Sequence, residues 1–283
     1  MDRNKVYDES PAAGVLFHYT TSSGLQGILD SKKLWMTSIR FLNDSSEFNY
    51  FFDKILENFE SKKTSLSPDT LARAKYLLDH IKTSNIPTNV FTTSFSSIGD
   101  SLSQWRGYAE SQGFSIMFDF TELCETLDKN SADYPIKMIK VDYCKGNAEN
   151  EAERLVNELI ESAKETQQID SAFGMIVEEI CYYSCKFKDE NFSSEDEWRL
   201  VSIGGFLHKS NPVRLRDRNG ELTPYIEISL TKDEISTIKE IKVGPGRNKE
   251  IKNLQKDALQ LFKSSNKSYN FEVTTSDIPF RSF

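Results

Sequence analysis

No apolar run in the sequence approaches the roughly 20 residues that a membrane-spanning helix needs. The N-terminal residues Met1-Asp2-Arg3-Asn4-Lys5 also lack the apolar centre of a secretory signal. A cytoplasmic protein with no membrane partner is therefore expected. Cysteine is scarce: Cys124, Cys144, Cys181 and Cys185 are the 4 in 283 residues, which do not make a disulfide framework and fit free thiols in a reducing compartment. Cys181 and Cys185 are spaced to share a helix face, but no histidine or second cysteine pair completes a zinc site, so no metal is expected.

Several catalytic signatures are also missing. There is no Gly-x-x-x-x-Gly-Lys phosphate loop, no Gly-x-Ser-x-Gly elbow and no His-Glu-x-x-His helix. Gly244-Pro245-Gly246 resembles a phosphate-binding turn only weakly, and a plain turn explains it. Positive charge is in deficit: the net charge of -8 opposes the long-range attraction on which non-specific nucleic-acid binding depends. The densest basic stretch, Arg214-Leu215-Arg216-Asp217-Arg218, runs into Asn219-Gly220 and reads most simply as a polar hairpin turn.

What remains is an ordinary globular composition, 38% apolar, 12% aromatic and 28% charged. Residues 1–13 have no periodicity and read as a loose arm, with one domain over 14–283. Strands are expected at Gly14–Tyr19, Leu34–Thr37, 90–96, 114–120 and Ile136–Tyr143. Four more are expected in the C-terminal half, at Glu197–Ile203, Pro224–Leu230, Ile238–Val243 and Tyr269–Thr275. Helical spacing marks Thr21–Ser31, Ser45 to about Glu60, Ser67 to Ile81, Glu149 to about Cys185, and Ile251–Phe262. Helices thus interrupt the strands as insertions near 45–85 and 149–188, without regular βαβ alternation. That pattern indicates an α+β fold around a mixed or mostly antiparallel sheet.

Three stretches carry polar side chains to strand ends. Phe17-His18-Tyr19-Thr20 puts His18 and Thr20 on one face, and Thr92, Ser94 and Ser96 share a face of the next apolar segment. Glu195 and Glu197 share a face at the start of Glu197-Trp198-Arg199-Leu200-Val201. Taken singly, each has a plainer reading: a structural histidine, a solvent-facing hydroxyl row, a charged turn. Gln104-Trp105-Arg106-Gly107-Tyr108 adds two aromatic side chains able to stack on a planar ring and an arginine able to pair with phosphate or carboxylate; an ordinary core tryptophan is the competing reading.

In this order, Phe17-His18-Tyr19-Thr20 with Gly27-Ile28-Leu29, Asn43-Asp44 with Glu47, Ser94-Phe95-Ser96, Gln104–Tyr108, Glu195–Leu200, Val243-Gly244-Pro245 and Ile278-Pro279-Phe280-Arg281 resemble the bacterial domain-of-unknown-function 2971 family. More distantly, the arrangement is similar to the ADP-ribosyltransferase superfamily. That superfamily draws a His or Arg, a hydroxyl or aromatic residue and a Glu from successive strands. The second resemblance implies a split sheet, NAD as substrate, and catalytic residues His18, Ser94 and Glu197. Glu197 would hydrogen-bond the nicotinamide ribose, His18 and Thr20 the adenosine ribose, and Ser94 would support Glu197. Arg106 or Arg199 would meet the diphosphate and Tyr19 or Trp105 would stack on nicotinamide, with Ser96 and Tyr108 nearby. The acceptor would be a protein or nucleic acid; distant relatives suggest a toxin or phage-defence setting.

Two other classes remain open on the residues alone. One is a non-catalytic nucleotide or nucleic-acid binding module using His18, Trp105, Arg106 and Arg214–Arg218. The other is a metal-dependent nuclease using Asp44, Glu47, Glu195 and Glu197.

Overall fold

A computed structural model describes residues 6–7, 9–42, 46–83, 90–108, 113–130, 136–164, 169–203, 212–218, 220–232, 235–246 and 248–279. The chain begins β1 (Val15–Thr20), α1 (Ser22–Ser31), β2 (Lys33–Ser38), α2 (Ser46–Lys62) and α3 (Pro68–Thr83). It continues β3 (Val90–Ser96), α4 (Leu102–Tyr108), β4 (Phe114–Asp119), α5 (Phe120–Asn130), β5 (Ile136–Lys140), α6 (Lys145–Lys164) and α7 (Ile169–Lys186). The rest is strand-rich: β6 (Glu197–Ile203), β7 (Arg214–Arg218), β8 (Glu221–Ser229), the short pair β9 (Thr231–Lys232) and β10 (Ile235–Ser236), and β11 (Ile238–Val243). Helix α8 (Lys249–Ser265) and β12 (Glu272–Thr275) follow. The fold is α+β, and its main sheet is antiparallel except where β12 lies parallel to β11.

Strand β3 is the hub of that sheet. One edge is paired with β6 over its whole length, from Val90↔Ile203 to Ser96↔Glu197, and β5 pairs β6 beyond. The opposite edge is shared. β1 meets it at Phe17↔Ser96, and β2 meets it at Thr37↔Thr92 and Ser38↔Phe91. Both run antiparallel to β3, so Tyr19 and Trp35, extrapolated along these registers, would compete for the place beside Ser94. They cannot share it, and the two strands part. β1 leads into an arm with β4, β11 and β12; β2 leads into a second arm with β8 and β7.

Each sheet face has its own core. On one, Leu16, Leu34, Met36, Phe95, Phe118 and Trp198 pack with Leu25 and Ile28 of α1, Leu123 and Leu127 of α5 and Leu259 of α8. On the other, Val90, Ile139 and Val201 pack under α2, α3, α6 and α7. The apolar stripe of α6, Ala148, Ala152, Leu155, Val156, Leu159, Ile160 and Ala163, is the i, i+3, i+4 spacing that buries one helix face. Each buried Leu, Ile or Phe contributes roughly 1.5–3 kcal/mol of transfer free energy.

Most expected elements form within a few residues of their expected ends, with three departures. Phe120 ends the alternation expected of strand 114–120 and instead opens α5, because Asp119 accepts a hydrogen bond from the Glu122 backbone N–H at 2.8 Å and caps a helix there. Gln104–Tyr108, which the sequence pattern assigned to no element, lies in helix α4. Val6 and Tyr7, assigned to a loose arm, dock on the sheet: Met138 donates to the Val6 carbonyl at 2.7 Å, and Tyr7 packs edge-on against Phe120. Asn43, Asp44, His208 and Arg281 lie outside the described residues, as does the side chain of Glu47.

The Gly244-Pro245 landmark has a packing explanation. Gly244 donates to the Gly113 carbonyl at 2.8 Å, and a Cβ at Gly244 would sit 2.8 Å from that oxygen and 2.9 Å from the Trp105 ring. Gly244→Ala is therefore expected to destabilise the fold by roughly 1–3 kcal/mol. Urea denaturation should show a lower midpoint at unchanged slope.

Candidate functional site

Where β1 and β2 leave β3, the bare edge of β3 is met by side chains. The His18 ring donates from Nδ1 to the Ser94 carbonyl at 2.9 Å, and the Thr93 hydroxyl donates to the Trp35 carbonyl at 2.6 Å. His18 is partly exposed. Burial holds its pKa below 6.5; the Ser94 carbonyl opposes that shift and the nearby Arg216 guanidinium adds to it. The ring is thus neutral at physiological pH, with Nδ1–H committed to Ser94 and the lone pair of Nε2 able to accept.

Ser94 also faces Glu197, since Ser94↔Arg199 and Ser96↔Glu197 are cross-strand neighbours. Glu197 is 3% exposed. Burial alone would raise its pKa, but Arg199 outweighs that with charge and a two-pronged contact, Nε–Oε1 at 2.8 Å and Nη2–Oε2 at 2.9 Å. Lys188, 2% exposed, approaches Oε2 at 3.1 Å and also holds Glu195 at 2.8 Å. The Ser94 hydroxyl lowers the pKa further by hydrogen bonding. Glu197 is therefore held ionised well below the usual carboxylate range. The strand enters this cluster through Asp196 at φ 42°, a left-handed conformation that Asp tolerates better than most residues.

The three expected catalytic residues thus come from three neighbouring strands, β1, β3 and β6. Ser94 lies between them: its carbonyl accepts from His18, and its side chain is on the sheet face of Glu197. His18 and Glu197 themselves leave opposite pleat faces. Phe17 pairs with Ser96 and hence shares the face of Glu197, whereas His18 packs near Phe95 at 5.7 Å between ring centroids.

Several residues expected to bind the cofactor have structural roles instead. Trp105 is 2% exposed; its Nε1 donates to Asp100 at 2.7 Å and its ring packs edge-on against Tyr19 at 4.7 Å. Tyr19 donates to the Ile98 carbonyl and accepts from the Ser101 N–H. Neither ring is free to stack on nicotinamide, because both are sealed between α4 and β1. Tyr108 packs against the same pair. Ser96 is buried and donates to the Glu195 carbonyl at 2.7 Å, which fixes the turn into β6 rather than facing a ligand. Arg199 is 1% exposed and committed to Glu197 and the Cys185 carbonyl, so it does not reach out to a diphosphate. Arg106 lies exposed on α4. The Thr20 hydroxyl sits where a Cβ on Gly24 would be, at 2.1 Å, and faces the start of α1.

The carboxylates considered for a nuclease are also accounted for where they are described: Glu195 and Glu197 share Lys188, and no group of three potential ligands able to hold a metal is found among the described residues. A concavity of about 510 Å³, lined by Lys62, Ser67, Thr70 and Lys164 among others, contains none of the expected site residues.

Of the other residues at the splay, Arg216 was expected only within the Arg214–Arg218 stretch of the binding-module alternative, and Lys188 was missed. Arg214–Arg218 does form a hairpin with β8, turning at Gly220 (φ +88°), but Arg216 lies over the rings of Trp35 and Tyr225 at 5.2 and 5.7 Å. The period-two spacing of Arg214, Arg216 and Arg218 was the available signal. Nothing local marked Lys188, which follows the end of α7 two residues after Lys186.

Residues 104–200 match the family model described as "Protein of unknown function (DUF2971)", a segment that takes in both α4 and the Glu197–Leu200 start of β6. The match supports the resemblance drawn from the sequence motifs. No curated protein and no solved structure matches the chain.

Glu197→Gln would leave Arg199 buried without a counter-charge, and should cost about 3–5 kcal/mol in chemical denaturation. Adding Arg199→Met should recover part of that loss, because the orphaned cation goes while Lys188 keeps Glu195. For His18 the pKa is depressed in the folded chain. The unfolded state therefore binds the proton first, and stability, full above pH 6.5, falls as the pH drops towards the folded value. His18→Gln should flatten that part of the pH–stability curve.

Proposed function

We propose that the chain binds NAD where β1 and β2 part from β3 and cleaves its nicotinamide–ribose bond, as an ADP-ribosyltransferase or its hydrolytic variant. The observation that carries this reading is the position of Ser94, whose carbonyl accepts from a neutral histidine on β1 and whose side chain shares a sheet face with an ionised glutamate on β6. Cleaving the bond builds oxocarbenium character on the ribose. A carboxylate that accepts a hydrogen bond from a ribose hydroxyl stabilises that charge more in the transition state than in the ground state. The cations around Glu197 keep it ionised for this role, and His18 Nε2 is an acceptor for a second ribose hydroxyl.

A second reading is a binding module without turnover. It is favoured by the burial of Glu197 and by the engagement of both its oxygens. A ribose hydroxyl could reach that carboxylate only by displacing Arg199 or Lys188 from it.

One experiment separates the two: incubation with NAD labelled on its adenine, following nicotinamide release and label on protein, DNA and RNA. The enzyme reading expects release by the native chain. It also expects a loss of roughly 10²–10³-fold in the folded Glu197→Gln/Arg199→Met variant, confirmed as folded by its unfolding transition. Release that survives in that variant would remove Glu197 from the chemistry. NAD-dependent thermal stabilisation with no nicotinamide formed would establish the binding module.

A further inference from the structure

The floor of the splay holds polar groups whose hydrogen-bonding capacity goes unused among the described residues. Trp35 Nε1, Thr92 Oγ1 and Arg216 Nε are all buried from solvent as atoms and have no partner. They belong to one patch. Thr37 is the cross-strand neighbour of both Thr92 and Tyr225, and Arg216 donates from Nη2 to the Thr37 hydroxyl at 2.8 Å. The guanidinium lies over the Trp35 and Tyr225 rings, which are 5.1 Å apart, and Gly27 of α1 leaves room for the Trp35 ring at 3.1 Å from where a Cβ would be.

The charges around this patch are unbalanced. Glu227, the carboxylate across from Trp35, is already shared by Lys33 at 2.8 Å and Arg214 at 3.3 Å. Arg216 makes no ion pair with a described carboxylate, its like-charged neighbour Arg218 presses on it, and His18 alongside is neutral. Three unused donors around an unneutralised, half-buried guanidinium call for an acceptor-rich anion, because leaving each of them desolvated and unpaired is costly. Trp35, Arg216, His18 and Ser94 are all partly exposed, so the patch borders solvent, and a ligand reaches its three covered atoms by local movement of these side chains.

We infer that Arg216, Trp35 and Thr92 form a phosphate-binding cradle that takes the diphosphate of a dinucleotide, beside His18. The inference rests on the NAD reading for the identity of the whole ligand. The cradle itself rests on Arg216 and its neighbours. The tilted Trp35 and Tyr225 rings lie against the guanidinium, Thr37 accepts from one of its nitrogens, and Nε is left for the anion. In this assignment Arg216, and not Arg106 or Arg199, meets the diphosphate.

The test is binding of inorganic pyrophosphate, ADP-ribose and adenosine to the full chain, by calorimetry and by tryptophan fluorescence. Trp35 dominates a solvent-sensitive signal because Trp105 and Trp198 are 2% and 1% exposed. Pyrophosphate and ADP-ribose should bind, with affinity falling as salt rises, and adenosine should bind far more weakly. Arg216→Gln should weaken both phosphate ligands roughly 10- to 100-fold while melting no lower than the native chain. Thr92→Val, which removes only a buried hydroxyl, should weaken them in the same direction by less and serves if Arg216→Gln fails to fold. Pyrophosphate that binds neither protein, or binds both equally, overturns the cradle.

The two readings fail separately. ADP-ribose binding that depends on Arg216 without nicotinamide release from NAD would refute the enzyme and keep the cradle. Nicotinamide release indifferent to Arg216→Gln would refute the cradle and keep the enzyme.

Discussion

A β-strand has two edges, and β3 has three neighbours. Since β6 takes one edge completely, β1 and β2 must divide the other, and they can do so only by parting. Two arms of sheet follow from that conflict, and so does the interruption of the ladder beside Ser94. Backbone groups left bare in a protein interior must find partners. Here the His18 ring takes the Ser94 carbonyl on one side, and the Thr93 hydroxyl meets the Trp35 carbonyl on the other. The candidate site is the place where regular pairing is geometrically impossible and side chains stand in for it.

The electrostatics on the two sides of this gap are opposite in kind. On the β6 side, Glu197 is over-supplied with positive partners, Arg199 and Lys188, under a cover of helices. On the β7 side, Arg216 rests on aromatic rings with its Nε unpaired and Glu227 already claimed by others. A ligand with a hydroxyl-bearing sugar near one end and an anionic group near the other would complement both. That is the physical sense in which we propose a dinucleotide as the ligand of the splay.

Much of the fold was readable in the order of residues. Period-two runs such as Phe114, Ile116 and Phe118 located β4, Ser67-Pro68-Asp69 marked the start of α3, and Glu197–Ile203 and Ile238–Val243 were bounded as found. Of the site, the structure places His18, Ser94 and Glu197 on three neighbouring strands. The roles of the aromatic residues did not. Trp105 and Tyr19 looked available to a ligand because sequence reports a side chain's chemistry but not what will cover it. Asp100, Tyr108 and Gly244 cover them. Arg216 was read first as part of a hairpin turn and placed only in the binding-module alternative, for the opposite reason: the turn accounts for its local pattern, and the rings that hold it, Trp35 and Tyr225, are distant in sequence.

By itself the sequence determined most of the elements, the α+β class and the lack of an apolar run long enough to span a membrane, because helix and strand periodicity, caps and hydropathy are local and written residue by residue. Only the tertiary structure decided which strands compete for β3, which carboxylate is locked between cations and which arginine has no carboxylate partner among the described residues. Those outcomes depend on pairing between segments as far apart as Thr37 and Arg216. Burial turns such pairing into large energies, since a charge that water would screen on the surface must find its partner inside the protein.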